Sequence, residues 1–273
     1  MPMGFQPVQL KAMMETAEDA ARLAGRHALD QMTLVEVSVK NGSELVTEAD
    51  RACQQTIIQR IKADFPDHGF VAEEGEHGRL FKQPPQGTER IWWVIDPIDG
   101  TNNFAHGMPV FTVSIGAMMN GRPVVGVIYD PAADLMFTAI QGSDARMNGQ
   151  SIEAGDDPLS TFVSVGLDSH FGNTLPQWLA PIILKTRFRN LGTTALQMAY
   201  VAKGGMVGTI VCTPKLWDIA AGAVIAEAAG AVVTDWQGQP LWPMDPALYE
   251  GQMIPCIAAN PTAHRQLLAM IQG

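Results

Sequence analysis

Positive charge is scarce in this chain: 18 lysines and arginines stand against 28 aspartates and glutamates, a formal net charge of −10. Such a surface gives a polyanion no general foothold, because Lys and Arg must neutralise its phosphates. No nucleic-acid partner is expected. A small phosphate is still admissible, since metal ions and helix N-termini override the overall sign locally. Cysteine is also rare. Cys53, Cys212 and Cys256 are far apart and form neither a CxxC pair nor a disulfide framework, so they read as free packing thiols in a reducing cytosol. No apolar run reaches the roughly 20 residues of a membrane span. The opening MPMGFQPVQLKAMMETAEDA lacks the basic and apolar segments of a leader. The expectation is a cytoplasmic protein with no membrane partner.

What is present is material for one large core or two fused halves: 273 residues, 47% hydrophobic and 17% charged. Leu10, Met13, Ala17, Ala20, Ala24 and Ala28 recur at the spacing of one helical face, predicting a helix over 8–29. LVEVSVK reads as a strand followed by an Asn41-Gly42 turn. Thr47 and Asp50 make a capping-box pair before a helix with Ala49, Cys53, Ile57 and Ile61 on its apolar face, ending near Phe65-Pro66. GFVAEEG predicts a short strand, 83–89 a loop, and IWWVID a buried strand. VFTVSIGAMM, PVVGVIYD and LMFTAI, with Asn120-Gly121 between the first two, predict an antiparallel meander. Strands near TFVSVGL, MVGTIVC, VVTDW and CIAAN then alternate with helices over 193–203 and 218–229, the pattern of an α/β half. The expected organisation is an N-terminal α+β half, 1–145, with most of the candidate ligands, and a C-terminal α/β half, 146–273, that completes the site.

Four acids stand at junctions between elements rather than along solvated helix faces. Glu73 and Asp96 follow apolar strands, Asp99 lies in a turn, and Asp218 opens a helix. Carboxylates so placed suit a hard divalent cation, and magnesium commonly completes its shell with water and substrate phosphate. In Asp96-Pro97-Ile98-Asp99-Gly100-Thr101 the proline fixes φ and removes a donor. A turn there aims both carboxylates and the Ile98 carbonyl at one point. Gly100 admits a phosphate close to the backbone, and a helix opening at Thr101 adds amide donors. Taken singly, each fragment also has a purely structural use. Asp-Pro-X-Asp-Gly is ordinary turn chemistry, Asp50 completes a capping box, Asp218 answers the helix macrodipole, and Glu73-Glu74 suits a solvated turn.

Taken together and in order, the segments resemble the inositol monophosphatase family of magnesium-dependent, lithium-sensitive phosphatases. The resemblance is carried by Lys40 with LVTEAD at 45–50, AEEG at 72–75, WVIDPIDGTNNF at 93–104, MNGQSI at 147–152, GTTAL at 192–196 and WDIAAGAVIAEAAGAVVTD at 217–235. It implies a layered α-β-α-β-α sandwich of the sugar phosphatase type and a homodimer. It implies one magnesium held by Glu73, Asp96 and the Ile98 carbonyl, a second held by Asp96, Asp99 and Asp218, and a weaker third leaning on Glu73. The implied reaction is in-line attack of metal-activated water on a small phosphate monoester. Glu73 and Thr101 position and deprotonate the water, with Asp50 accepting from the Thr101 hydroxyl. Asp99, Gly100, Thr101, Gly192, Thr193, Thr194 and Asp218 border the substrate, and Lys40 lies near the nucleophile.

The chain departs from the family at one substrate contact. Members acting on inositol phosphates usually carry a glutamate seven residues before the aspartate of the WD motif, where it binds substrate hydroxyls. Here that residue is Val211, which cannot accept a hydrogen bond. Thr194 stands where alanine is usual, and Lys215 is close to the pocket by sequence. Either suits a second phosphate or a sugar hydroxyl. Inositol monophosphate therefore ranks lower, and a sugar phosphate, fructose 1,6-bisphosphate, histidinol phosphate or a nucleotide enters as the alternative. Some bacterial relatives also act by binding the transcription machinery, so a non-catalytic regulatory role is the other class of reading.

Overall fold

The alanine-rich face of the first helix and the β-branched runs that follow it sort the chain into layers. The structure, a computed structural model, describes residues 7–32, 37–40, 44–87, 90–168, 171 and 174–273, with backbone alone at 7, 37–40 and 44–47. Helix α1 (Pro7–Gln31) buries Met13, Ala17, Ala20, Ala24 and Ala28, the predicted stripe. A hairpin of β1 (Val37–Lys40) and β2 (Glu44–Thr47) leads into α2 (Glu48–Asp64), whose buried side includes Ala49, Cys53, Ile57 and Ile61. The Asn41-Gly42 turn, the Thr47 cap and the Lys40 side chain lie outside the described residues.

An eight-stranded sheet comes next, built from β3 (Gly69–Ala72), β4 (Phe81–Gln83), β5 (Ile91–Asp99), β6 (Thr112–Met119), β7 (Arg122–Asp130), β8 (Leu135–Ile140), β9 (Arg146–Met147) and β10 (Gln150–Ser151). Between β5 and β6 a short helix, α3 (Thr101–Ala105), turns the chain. The strand order is β10-β9-β8-β7-β6-β5-β3-β4, with only β3 and β5 running parallel. The predicted meander is present, and Asn120 and Gly121 both take positive φ, 51° and 75°, in its first turn.

One strand differs from the sequence reading. IWWVID predicts a strand ending at Asp96, yet β5 runs on to Asp99, with its pairing to β6 shifted between Asp96 and Asp99. Pro97 has no N–H to give to the ladder, and a bulge is where a strand tolerates that loss. The expected turn is therefore a bulged strand end.

The remaining elements are β11 (Ser164–Leu167), α4 (Leu179–Lys185), β12 (Arg187–Arg189), α5 (Thr194–Ala202), β13 (Gly208–Val211), α6 (Leu216–Ala228), β14 (Val232–Thr234), β15 (Cys256–Ala259) and α7 (Pro261–Gln272). They form a five-stranded sheet in the order β12-β11-β13-β15-β14, in which β12, β11 and β13 are mutually parallel. Helices α1 and α2 cover one face of the large sheet. Helices α5 and α6 fill the space between the two sheets, and α4 and α7 cover the outer face of the smaller one. This is the expected α-β-α-β-α layering. Helix α6 starts at Leu216, two residues before Asp218, so Asp218 sits inside the first turn. Its carboxylate accepts from the Lys215 N–H at 2.7 Å.

Candidate active site

The bulge at the end of β5 lies between Asp96, paired with Ser114, and Asp99, paired with Thr112, and the Asp99 carboxylate meets the N-terminus of α5. Asp96 is 2% exposed and accepts from the Ile98 N–H at 3.0 Å. Burial pushes its carboxyl well above the usual carboxylate range, and the charges of Glu73, Asp99, Asp218 and Asp50 push it the same way. Asp218 is raised too, by burial first and then by Asp99 and Glu73. The structure therefore gathers acids from β5, from the end of β3 and from α6 around one point.

Asp99 is more tightly held. Its carboxylate accepts from the Ala195 N–H at 2.6 Å, the Thr194 N–H at 3.2 Å, the Thr112 hydroxyl at 3.4 Å and the Thr193 hydroxyl. Burial raises its pKa to about 6, against the pull of those donors. Thr193 caps α5 as well, accepting from the Leu196 N–H at 3.3 Å. The hydroxyl of Thr193 and the amides of Thr194 and Ala195 are thus occupied in fixing Asp99.

Thr101 opens α3, with Gly100 before it at φ 105°, a left-handed conformation that glycine adopts without strain. The Thr101 hydroxyl reaches Asp50 Oδ1 at 3.2 Å and the Ile98 carbonyl at 3.0 Å, while Asp50 itself is fully buried. The expected Thr101–Asp50 pair is present. Gly192 stands over α3, its backbone within reach of Asn103, whose amide donates to the carbonyls of Leu191 and Val110 at 2.7 Å each. That clamp holds the 192–194 segment against the strand end.

Asp99, Gly192, Thr193, Thr194 and Asp218 line one cleft of about 170 Å³. Three other placements bear on the sequence reading. Lys215 Nζ donates to the Gly251 carbonyl at 2.6 Å, and the residue is not part of the cleft wall. Val211 is fully buried in the core between the sheets, off the wall. Asp168, Asn190, Gln197 and Thr213 do line the cleft, and sequence reasoning missed them. They belong to no recognised motif, although Asp168 ends TFVSVGLD much as Asp96 ends IWWVID.

Among the described residues no three His, Cys, Asp or Glu side chains form a ready-made metal cage. The donor set nevertheless suits magnesium, which is usually bound through one or two carboxylates and completes its octahedron with water and substrate oxygens. Acids that repel one another in a low-dielectric site are relieved by a divalent cation. Cys53 and Cys212, both pushed up to about 12 by burial, and Cys256 are outside any disulfide; the Cys53 thiol donates to the Ala24 carbonyl at 3.3 Å and the Cys212 thiol hydrogen-bonds Asp168.

The comparisons with known proteins converge on one family and its fold. The model of the inositol monophosphatase family matches residues 9–272. A Pasteurella multocida protein named Nus factor SuhB is 33% identical, over 96% of this chain and 97% of its own. Inositol monophosphatase 1 of Solanum lycopersicum is 34% identical, over 84% of this chain and 86% of its own. The solved structure of a Thermotoga maritima IMPase superposes with a TM-score of 0.79 at 31% identity, covering 93% of this chain and 94% of that one. The Nus-factor name lends no support to the expected absence of a nucleic-acid partner. No helix among the described residues is long and apolar enough to cross a membrane.

Proposed function

Because the chain belongs to the inositol monophosphatase family, we propose that it is a magnesium-dependent phosphoric monoester hydrolase whose reaction takes place at the acids around Asp96. The single observation that carries this reading is the convergence of Asp96, Asp99 and Asp218, each raised by burial and by acidic neighbours or held by a ring of donors. Buried acids so burdened are costly to a fold and mark a site built for a cation.

In this reading Glu73, Asp96 and the Ile98 carbonyl would hold one magnesium, Asp96, Asp99 and Asp218 would hold a second, and Glu73 would contribute to a weaker third. Bound there, the ions would acidify water and offset charge on phosphoryl oxygens. The remaining work falls to the chain. Asp50 orients the Thr101 hydroxyl, and Thr101 with Glu73 positions the attacking water and accepts its proton. The Gly100 and Thr101 amides would offset charge on the phosphoryl oxygens, and Thr193 and Thr194 keep Asp99 aimed. Lys40 is assigned a place near the nucleophile. Lys215 is not assigned to substrate, because its ammonium is turned to Gly251. In our reading the half at 1–145 supplies most ligands and the half at 146–273 supplies Asp218 and the leaving-group side. We propose a cytoplasmic homodimer, for which sedimentation should give twice the chain mass.

The test is phosphate release from a panel of monoesters across magnesium concentrations. Activity should saturate with magnesium, vanish with a chelator and fall at least about 100-fold in Asp96→Asn. The relative named a Nus factor favours a second reading, a regulatory binding protein that turns nothing over. Absence of phosphate release from every monoester at saturating magnesium would favour that one.

A further inference from the structure

Three parallel strands end at the far side of the cleft. Asn190 follows β12, Asp168 follows β11, and Cys212 and Thr213 follow β13. The carboxyl ends of parallel strands are where open α/β sheets place their ligands. Asp168 is fixed there by the Cys212 and Thr213 amides, the latter at 3.1 Å. Both amides reach Oδ2, and the Cys212 thiol also hydrogen-bonds the Asp168 carboxylate. Its carboxylate is half-buried and faces the cleft that Asp99 and Asp218 border.

Of the described cleft walls none is Lys or Arg, and the nearby Lys215 and Arg189 are turned to the carbonyls of Gly251 and Phe188. A second phosphate would meet the Asp168 carboxylate with no Lys or Arg among the described cleft walls to offset it. A hydroxyl or ammonium would find an anchored acceptor, flanked by Asn190, Gln197 and Thr213. Val211, inside the core, contributes nothing to this surface.

We propose that Asp168 is the residue that selects the leaving group, and that this group is a small alcohol carrying hydroxyl or ammonium donors and no second phosphate. The inference rests on the phosphatase reading above. It is tested by kcat/KM for wild type, Asp168→Asn and Thr213→Lys on five substrates. These are fructose 1-phosphate, fructose 1,6-bisphosphate, glycerol 2-phosphate, ethanolamine phosphate and p-nitrophenyl phosphate.

Wild type should prefer fructose 1-phosphate to the bisphosphate. Asp168→Asn should lower kcat/KM for the better of the glycerol and ethanolamine esters by about 5- to 150-fold, the loss expected when an acceptor to a buried donor is weakened. Hydrolysis of p-nitrophenyl phosphate, which has no donors to offer, should stay within about twofold and reports an intact catalytic centre. Thr213→Lys, which leaves Asp168 in place, should shift preference toward the bisphosphate. The better of the glycerol and ethanolamine esters tells hydroxyl from ammonium recognition. A wild-type preference for the bisphosphate, or an equal loss on p-nitrophenyl phosphate in Asp168→Asn, overturns the assignment of Asp168 alone. A wild type inert on all five substrates overturns the phosphatase reading and this inference with it.

Discussion

The Thr101 hydroxyl has one proton and two acceptors in reach, Asp50 Oδ1 at 3.2 Å and the Ile98 carbonyl at 3.0 Å. If the carbonyl is engaged by a cation, the proton goes to the carboxylate, and the Thr101 oxygen lone pairs turn to the attacking water. Thr101→Ala should then lower kcat about 100-fold with little change in KM, whereas Thr101→Ser stays within a few-fold. Asp50→Asn should resemble Thr101→Ala, and the double variant should be hardly worse than either, since the two act as one unit. Steady-state kinetics on any accepted monoester would show it, and additive losses would count against the pair. The acids at 96, 99 and 218 were legible because they sit near strand ends or a helix start, and the Thr101–Asp50 pair because the motifs together resemble a known family. Asp168 was not, because its acceptor role depends on the amides of Cys212 and Thr213, 44 and 45 residues away.

Helix α7 was the largest element that periodicity did not find, although Asn260-Pro261 carries a start signal. Asn260 accepts from the Thr262 and Ala263 N–H groups at 3.0 and 2.8 Å, and Pro261 stands in the first turn. The helix buries Ala263, His264 and Leu267 on the small sheet. His264 Nε2 lies 2.8 Å from the Thr234 hydroxyl, and burial lowers its pKa below the ordinary 6.5. In the window between that lowered value and 6.5 the unfolded chain binds more protons than the folded one. The contribution of His264 is therefore complete above pH 6.5 and is lost as pH falls through the window. His264→Gln should show a smaller drop in urea midpoint between pH 7.5 and pH 5.5 than the parent. An unchanged drop would mean the ring is not the group responsible.

For the molecule as a whole, the site exists because α6 lies close to the large sheet and brings Asp218 to Asp96. Gly116 of β6 and Gly126 of β7 are paired in register beneath that helix. A Cβ on Gly116 would lie 3.1 Å from the Ala220 Cβ, and one on Gly126 would lie 2.5 Å from the Ala221 carbonyl oxygen. Ser114 adds a hydrogen bond to the Trp217 carbonyl at 3.1 Å. Gly126→Ala must push helix and sheet apart, and overpacking of that kind costs about 1–3 kcal/mol. Chemical denaturation should show the loss. Activity should fall alongside it, because Asp218 moves with α6. A fully active variant of parental stability would show that the layers tolerate the shift.

Much of this protein was determined by its sequence alone. Short-range periodicity placed α1, α2, the meander and the alternating second half. Local motifs put the acids at strand ends and helix starts, which depend on neighbouring residues, and the resemblance of those motifs taken together gave the acids their chemistry. What the tertiary structure decided depends on distance in space. It showed that β5 continues through a bulge to Asp99, that Thr193 serves Asp99, that Lys215 turns to Gly251 and that Val211 is core. It also set Asp168 on the cleft wall. A side chain's direction is fixed by packing partners far along the chain, so the chemistry around Asp96 could be named from the sequence, whereas the surface that meets the leaving group required the fold.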